Sequence, residues 1–169
     1  MRPHLPRTLT AATGFLLLAT LLTPTAATAD GTAAGKRLTS DHMVIRIDPD
    51  PAPPGGETSI HGYVLNEGPD ISGGFTTTVR LPAGTEAIGP NWPEDCVVDP
   101  LSQERTIRCE FPAGLRAHKS GTALVPFRIS PDVPIGTLRG GSVTVSAHND
   151  PNPENDHQPF EVEVIDTPT

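Results

Sequence analysis

TALVPFRIS, residues 122–130, alternates strongly. Ala123, Val125, Phe127 and Ile129 take the odd positions; Thr122, Leu124, Pro126, Arg128 and Ser130 take the even ones. A period of two belongs to a half-buried β-strand, because successive side chains of a strand point to opposite faces. The stretch predicts a strand whose odd-numbered residues enter a core. Pro126 has no N–H for a ladder, which predicts an edge position or a bulge there.

The same period recurs on both sides. Thr58 to Leu65 sets Ile60, Gly62 and Val64 on one face, and Gly74 to Leu81 does so with Phe75, Thr77, Val79 and Leu81. Thr106 to Phe111 is a strand carrying Cys109. Ser142 to His148 turns Val143, Val145 and Ala147 inward, and Pro159 to Ile165 turns Phe160, Val162 and Val164 inward with Glu161 and Glu163 outward. Near the start, Met43, Ile45 and Ile47 alternate with His42, Val44 and Arg46, which reads as a further strand. Thr85–Gly89 would make an eighth strand. Segments such as Asp48-Pro49-Asp50-Pro51-Ala52-Pro53-Pro54-Gly55-Gly56 are neither helix nor central strand. No window has a helical period. The pattern predicts an all-β, immunoglobulin-like β-sandwich of about seven to eight antiparallel strands, with a small closed barrel as the alternative.

The N-terminus reads as a secretory signal over residues 1–29. Arg2 and Arg7 precede a short apolar core from Gly14 to Leu22, and Ala27-Thr28-Ala29 is a small-residue cleavage site before Asp30. The apolar run is too short for a stable membrane span, so no span is expected after cleavage. Residues 30–40 read as a flexible leader, 41–165 as the domain and 166–169 as a tail. With Arg2 and Arg7 removed, ten Lys and Arg face 20 Asp and Glu, a formal charge of −10. Such a surface repels nucleic acid and anionic membranes.

Export also bears on the two cysteines. Cys96 and Cys109 lack the C-x-x-C spacing of zinc sites, and two cysteines in an exported domain are expected to form a disulfide.

Four short motifs follow one another along the chain: Asn66-Glu67-Gly68-Pro69-Asp70, Leu81-Pro82-Ala83-Gly84-Thr85, the pair Cys96 and Thr106-Ile107-Arg108-Cys109, and Asp150-Pro151-Asn152-Pro153-Glu154-Asn155-Asp156 before the last strand. In this order they resemble the conserved repeat domain of unknown function of bacterial secreted and surface proteins. That family is itself similar to the cell adhesion related domain found in bacteria. The resemblance covers residues 41–165 and implies an immunoglobulin-like fold at the cell surface. Physically, Asn66 is expected to form an Asx-turn with Gly68 at positive φ, and Leu81 to plug the core before a proline–glycine turn.

Three places carry candidate chemistry. The stretch HNDPNPENDH, residues 148–157, puts Asp150, Asn152, Glu154 and Asp156 at alternate positions. This is the spacing of a calcium loop, with Glu161 at the twelfth position. But Asn155 stands where such a loop needs glycine, and Pro151 and Pro153 stiffen it, so the favoured reading is a hairpin turn, with weak calcium binding as the alternative. His148 and His157 bracket it and could hold zinc only with a third ligand. Asn91, Trp92, Glu94 and Asp95 form a loop before Cys96, and Trp92 reads either as a stacking platform for a ligand or as a ring packed on the disulfide. Asp99-Pro100-Leu101-Ser102, inside the disulfide ring, is the one segment suited to a protease-inhibitor loop.

Motifs of nucleophilic, metal-dependent or phosphate-binding enzymes are missing from the sequence. The reading is a non-catalytic exported module, secreted or associated with the cell envelope, with an unidentified protein or envelope component as partner and no cofactor. The alternatives are a small secreted binder of a sugar or cation and, remotely, a protease inhibitor.

Overall fold

The computed structural model describes residues 39–148 and 150–166. The signal, most of the leader and the last three residues lie outside the described residues. The chain is an immunoglobulin-like β-sandwich of two antiparallel sheets. One sheet has the order β1-β2-β7-β4, formed by His42–Ile45, Glu57–Asn66, Ser120–Ile129 and Thr85–Ala87. The other has the order β5-β6-β3-β8-β9, formed by Val97–Val98, Thr106–Phe111, Phe75–Arg80, Gly136–Ala147 and His157–Val164.

The core lies between the sheets and is built from the residues that the period of two turns inward. Ile60, Val64, Phe75, Val79, Ile107, Val125, Phe127, Ile129, Val143, Val145, Phe160 and Val162 are buried. Leu81 is also buried, at the end of β3, as its turn motif predicts. Just beyond it Gly84 has φ +81, and a Cβ there would lie 2.7 Å from Val133 Cγ2, so the turn needs glycine twice over.

The phase of β1 is set by its neighbour. His42 and Val44 are buried, while Met43 is half-buried and Ile45 and Ile47 are exposed. Val44 pairs with Val64 and His42 with Asn66, and partners directly opposite share a face. Val64 faces the core, so Val44 does too.

Two expectations need correction. The first concerns Pro126. Strand β7 is interior, not an edge, with β2 on one side and β4 on the other. Pro126 tolerates this because β4 ends at Ala87 and the ladder resumes only at the Trp92–Leu124 bridge. Ile88 N still donates to Pro126 O at 3.1 Å on that side, and the missing N–H faces the gap.

The second is Gly68, which does not have positive φ. Glycine is required there because a Cβ would lie 2.6 Å from both Asp41 N and Thr39 O. The Asx-turn itself is present: Gly68 N donates to Asn66 Oδ1 at 3.0 Å. Fully buried Asn66 also accepts from Asp41 N and donates Nδ2 to Asp70 O and Leu115 O. One amide thus ties three segments together at one end of the sandwich, and Ser40 is buried beside it.

Two irregularities shape the second sheet. Residues after β1 cross to it, where Ala52 bridges Val164 in parallel and covers the outer edge of β9. In β8 a bulge between Leu138 and Gly141 shifts the register against β9.

A candidate interface on the outer face of the four-stranded sheet

Strand β2 puts Ile60, Gly62 and Val64 into the core, so His61, Tyr63 and Leu65 point outward by the same alternation. Strand β7 likewise turns Thr122, Leu124 and Pro126 out. The register then assembles a row that crosses the sheet. His61 lies opposite Leu124, and Leu124 lies opposite Trp92. Ile45 lies opposite Tyr63 on the far side. The rings of His61 and Tyr63 are stacked, with centroids 5.6 Å apart and planes 12° apart.

The chain has one tryptophan and one tyrosine, and both are on this face. Trp92 is 57% exposed and Ile45 36% exposed. Trp92 therefore does not pack into the interior against the disulfide; it stands on the outer surface. Its backbone is held on both sides: Trp92 N donates to Leu124 O at 2.9 Å, and Leu124 N to Trp92 O at 2.8 Å.

Of the other residues of this loop, Asn91 is half-buried, and Glu94 and Asp95 are exposed in the turn that leads to Cys96. The Cys96–Cys109 disulfide then fixes the segment to β6, across a sequence separation of 13. The segment that starts on one sheet at Trp92 thus ends on the other at Val97–Val98. The sequence singles out Trp92 but not His61, Tyr63 or Leu124. The outward half of each alternation is the available signal, and it does not say which outward residues meet.

The inhibitor reading fits the geometry poorly. Leu101 is 93% exposed, but Pro100–Ser102 is a 3-10 turn capped by Asp99, followed by Gln103 and Glu104 at φ 56 and 57. An edge-binding cleft would instead pair with an extended strand.

The acidic turn occupies the opposite end from Leu101 and is engaged in structure. Asp150 Oδ2 accepts from His42 N at 2.7 Å and from His42 Nδ1 at 3.0 Å. A carboxylate only accepts, so Nδ1 carries the proton. Asp150 Oδ1 accepts from Asn152 N at 3.1 Å, closing an Asx-turn. Asn155 O accepts from Val44 N, and Asn155 Nδ2 donates to Asp41 Oδ1. Both Asp150 oxygens thus face protein donors. Glu154 is exposed, and Asn152 and Asp156 are half-buried. Among the described residues no three His, Cys, Asp or Glu are grouped to hold a metal ion. His157 Nδ1 lies 2.9 Å from Thr144 Oγ1.

The titration of Asp156 is displaced upward. Its pKa is raised to about 6, first by burial and then by the charges of Asp150 and Asp41. Its Oδ1 is buried without a hydrogen-bond partner. A carboxyl with a higher pKa in the folded chain favours folding when protonated. That contribution is full below the ordinary value of 3.8 and is lost as pH rises through about 6. Asp156→Asn is therefore expected to raise the melting temperature at pH 7.5. The gain over the unmodified protein should disappear near pH 3.5. Equal melting temperatures at pH 7.5 would contradict the displaced titration.

No family model matches the chain, and no curated protein matches it. Among solved structures it is similar to the seventh ScaB type I cohesin from Pseudobacteroides cellulosolvens, at 12% identity and a TM-score of 0.44, over 76% of this chain and 95% of that one. It is also similar to the collagen-binding domain from a Staphylococcus aureus adhesin, at 12% identity and a TM-score of 0.43, over 75% of this chain and 97% of that one. No ligand and no residue role is carried across from either.

Proposed function

We propose that this protein is a non-catalytic interaction module that works outside the cell or at the cell envelope. Its contact surface is the outer face of the four-stranded sheet. The observation that carries this reading is the row His61–Leu124–Trp92 with Tyr63 stacked beside it. A row of aromatic and apolar side chains on the outer face of a sheet is the kind of surface that a partner covers. Here backbone hydrogen bonds and the disulfide hold the tryptophan in place, so little conformational entropy is lost when a partner docks. The signal at residues 1–29 and the disulfide support export.

The partner is a protein or another envelope component. Purified protein is mixed with washed envelope, with calcium and with EDTA, and the pelleted fraction is measured. Saturable pelleting in both conditions is expected, with a loss of about tenfold or more in affinity for Trp92→Ala at an unchanged melting temperature. No pelleting in either condition would sink the envelope reading. Pelleting that survives protease treatment of the envelope would favour a carbohydrate over a protein partner. Binding that depends on calcium would return attention to Asp150, Asn152, Glu154 and Asp156.

A further inference from the structure

Two arginines lie side by side at the far end of the second sheet, in a chain of formal net charge −8. Their neighbours are neutralised. Arg128 lies 2.7 Å from Glu57 and 3.6 Å from Glu86, and Arg139 lies 2.8 Å from Glu161. Among the described residues, Arg80 and Arg105 have no carboxylate partner. Arg105 Nη2 has an uncharged contact at 3.4 Å, to Gln103 Oε1.

The fold keeps these two cations together. Arg80 is the last residue of β3 and Arg105 the residue before β6. Leu81 N donates to Arg105 O at 2.7 Å, so the backbones are joined at the point where the side chains leave. Both arginines line the same two surface hollows. One, of about 380 Å³, has Leu101 and Ser102 on its far wall. The other, of about 440 Å³, is closed by Gly141 and Ser142. The bulge in β8 brings Arg139 to the rim of this second hollow. Like charges held side by side repel, and an anion between them relieves the repulsion. The planar guanidinium fork matches a carboxylate or phosphate better than a round halide.

We propose that Arg80 and Arg105 form a binding site for an oxyanion, the carboxylate or phosphate group of a ligand that fits the two hollows they share, with the hydroxyl of Ser142 as a neutral donor. The site lies on the other sheet from the aromatic row and does not depend on that row having a partner.

The test follows the arginine Nε–Hε resonances of the purified protein by NMR at constant ionic strength, while phosphate, acetate or chloride is added. Saturable shifts confined to Arg80 and Arg105 are expected with phosphate or with acetate. Saturation with phosphate alone identifies the phosphate group, and saturation with acetate identifies the carboxylate. Arg80→Gln and Arg105→Gln should each weaken binding by about tenfold or more at an unchanged melting temperature. Arg46, paired at 3.2 Å with Asp48, is the control: Arg46→Gln should leave binding intact. Equal, unsaturable drift with all three anions would mean ionic screening alone and would overturn the proposal. An equal loss in the Arg46 variant would overturn it too.

Discussion

Asp150→Ala is expected to destabilise the domain by roughly 2–5 kcal/mol, because it leaves two buried donors without an acceptor, each at a cost of about 1–3 kcal/mol. The His42 side chain is fully buried, and the Asp150 side chain is 4% exposed. Their contacts join the start of β1 to the turn before β9, 108 residues away. Removing the carboxylate leaves two His42 donors without an acceptor inside the protein, the backbone N–H and Nδ1–H. The imidazole cannot swing out to water, since its ring packs against Phe75 at 4.8 Å, which in turn stacks on Phe111 at 4.7 Å. A buried donor stripped of its partner incurs the full desolvation penalty. Asp150→Asn keeps an oxygen for the backbone N–H and should lose markedly less. Urea unfolding of the three proteins checks both statements. A midpoint for Asp150→Ala close to that of the unmodified protein would mean the pair contributes nothing to the fold.

Replacing both cysteines by alanine should cost about 3 kcal/mol, the chain-entropy value for a loop of this size. For a domain of this length that corresponds to a fall of roughly 10 °C in melting temperature. The effect has a structural side as well. Cys109 is fully buried and Cys96 packs against the core, so the bond anchors the 91–98 segment that carries Trp92. As the chain has one tryptophan, its emission reports on that segment alone. The double variant should show greater depolarisation of Trp92 fluorescence below the melting transition. An unchanged melting temperature would show that the loop gains no order from the bond. A lower melting temperature with unchanged Trp92 mobility would assign the anchoring of Trp92 to its Leu124 hydrogen bonds instead.

Legibility differs between the core and the surface. Strands β2, β3, β6 and β7 are readable because a charged or strongly polar residue on one face of each (His61, Arg80, Arg108 and Arg128) leaves the other face as the phase for the core. In β1 the run Met43-Val44-Ile45 is apolar at every position, and both phases satisfy it. Gly136–Gly141 of β8 is not readable either. It contains three glycines and an unpaired bulge, which remove the alternation on which the reading depends. At the candidate interface Trp92 is conspicuous from composition. Tyr63 and His61 look like ordinary outward strand residues.

The sequence by itself determined the class of fold, the inward residues of most strands, the turn at Asn66, the plug at Leu81 and the pairing of the two cysteines. All of these follow from local periodicity, local turn chemistry or the presence of just two thiols. Only the tertiary structure decided which strands are neighbours, and neighbours decide everything on the surface. The row His61–Leu124–Trp92, the proximity of Arg80 and Arg105, and the burial of His42 against Asp150 all depend on hydrogen-bonded register or packing between distant segments. Side-chain alternation tells a strand which face is its own, but a one-residue slip in its neighbour would send the opposing side chains to the other face.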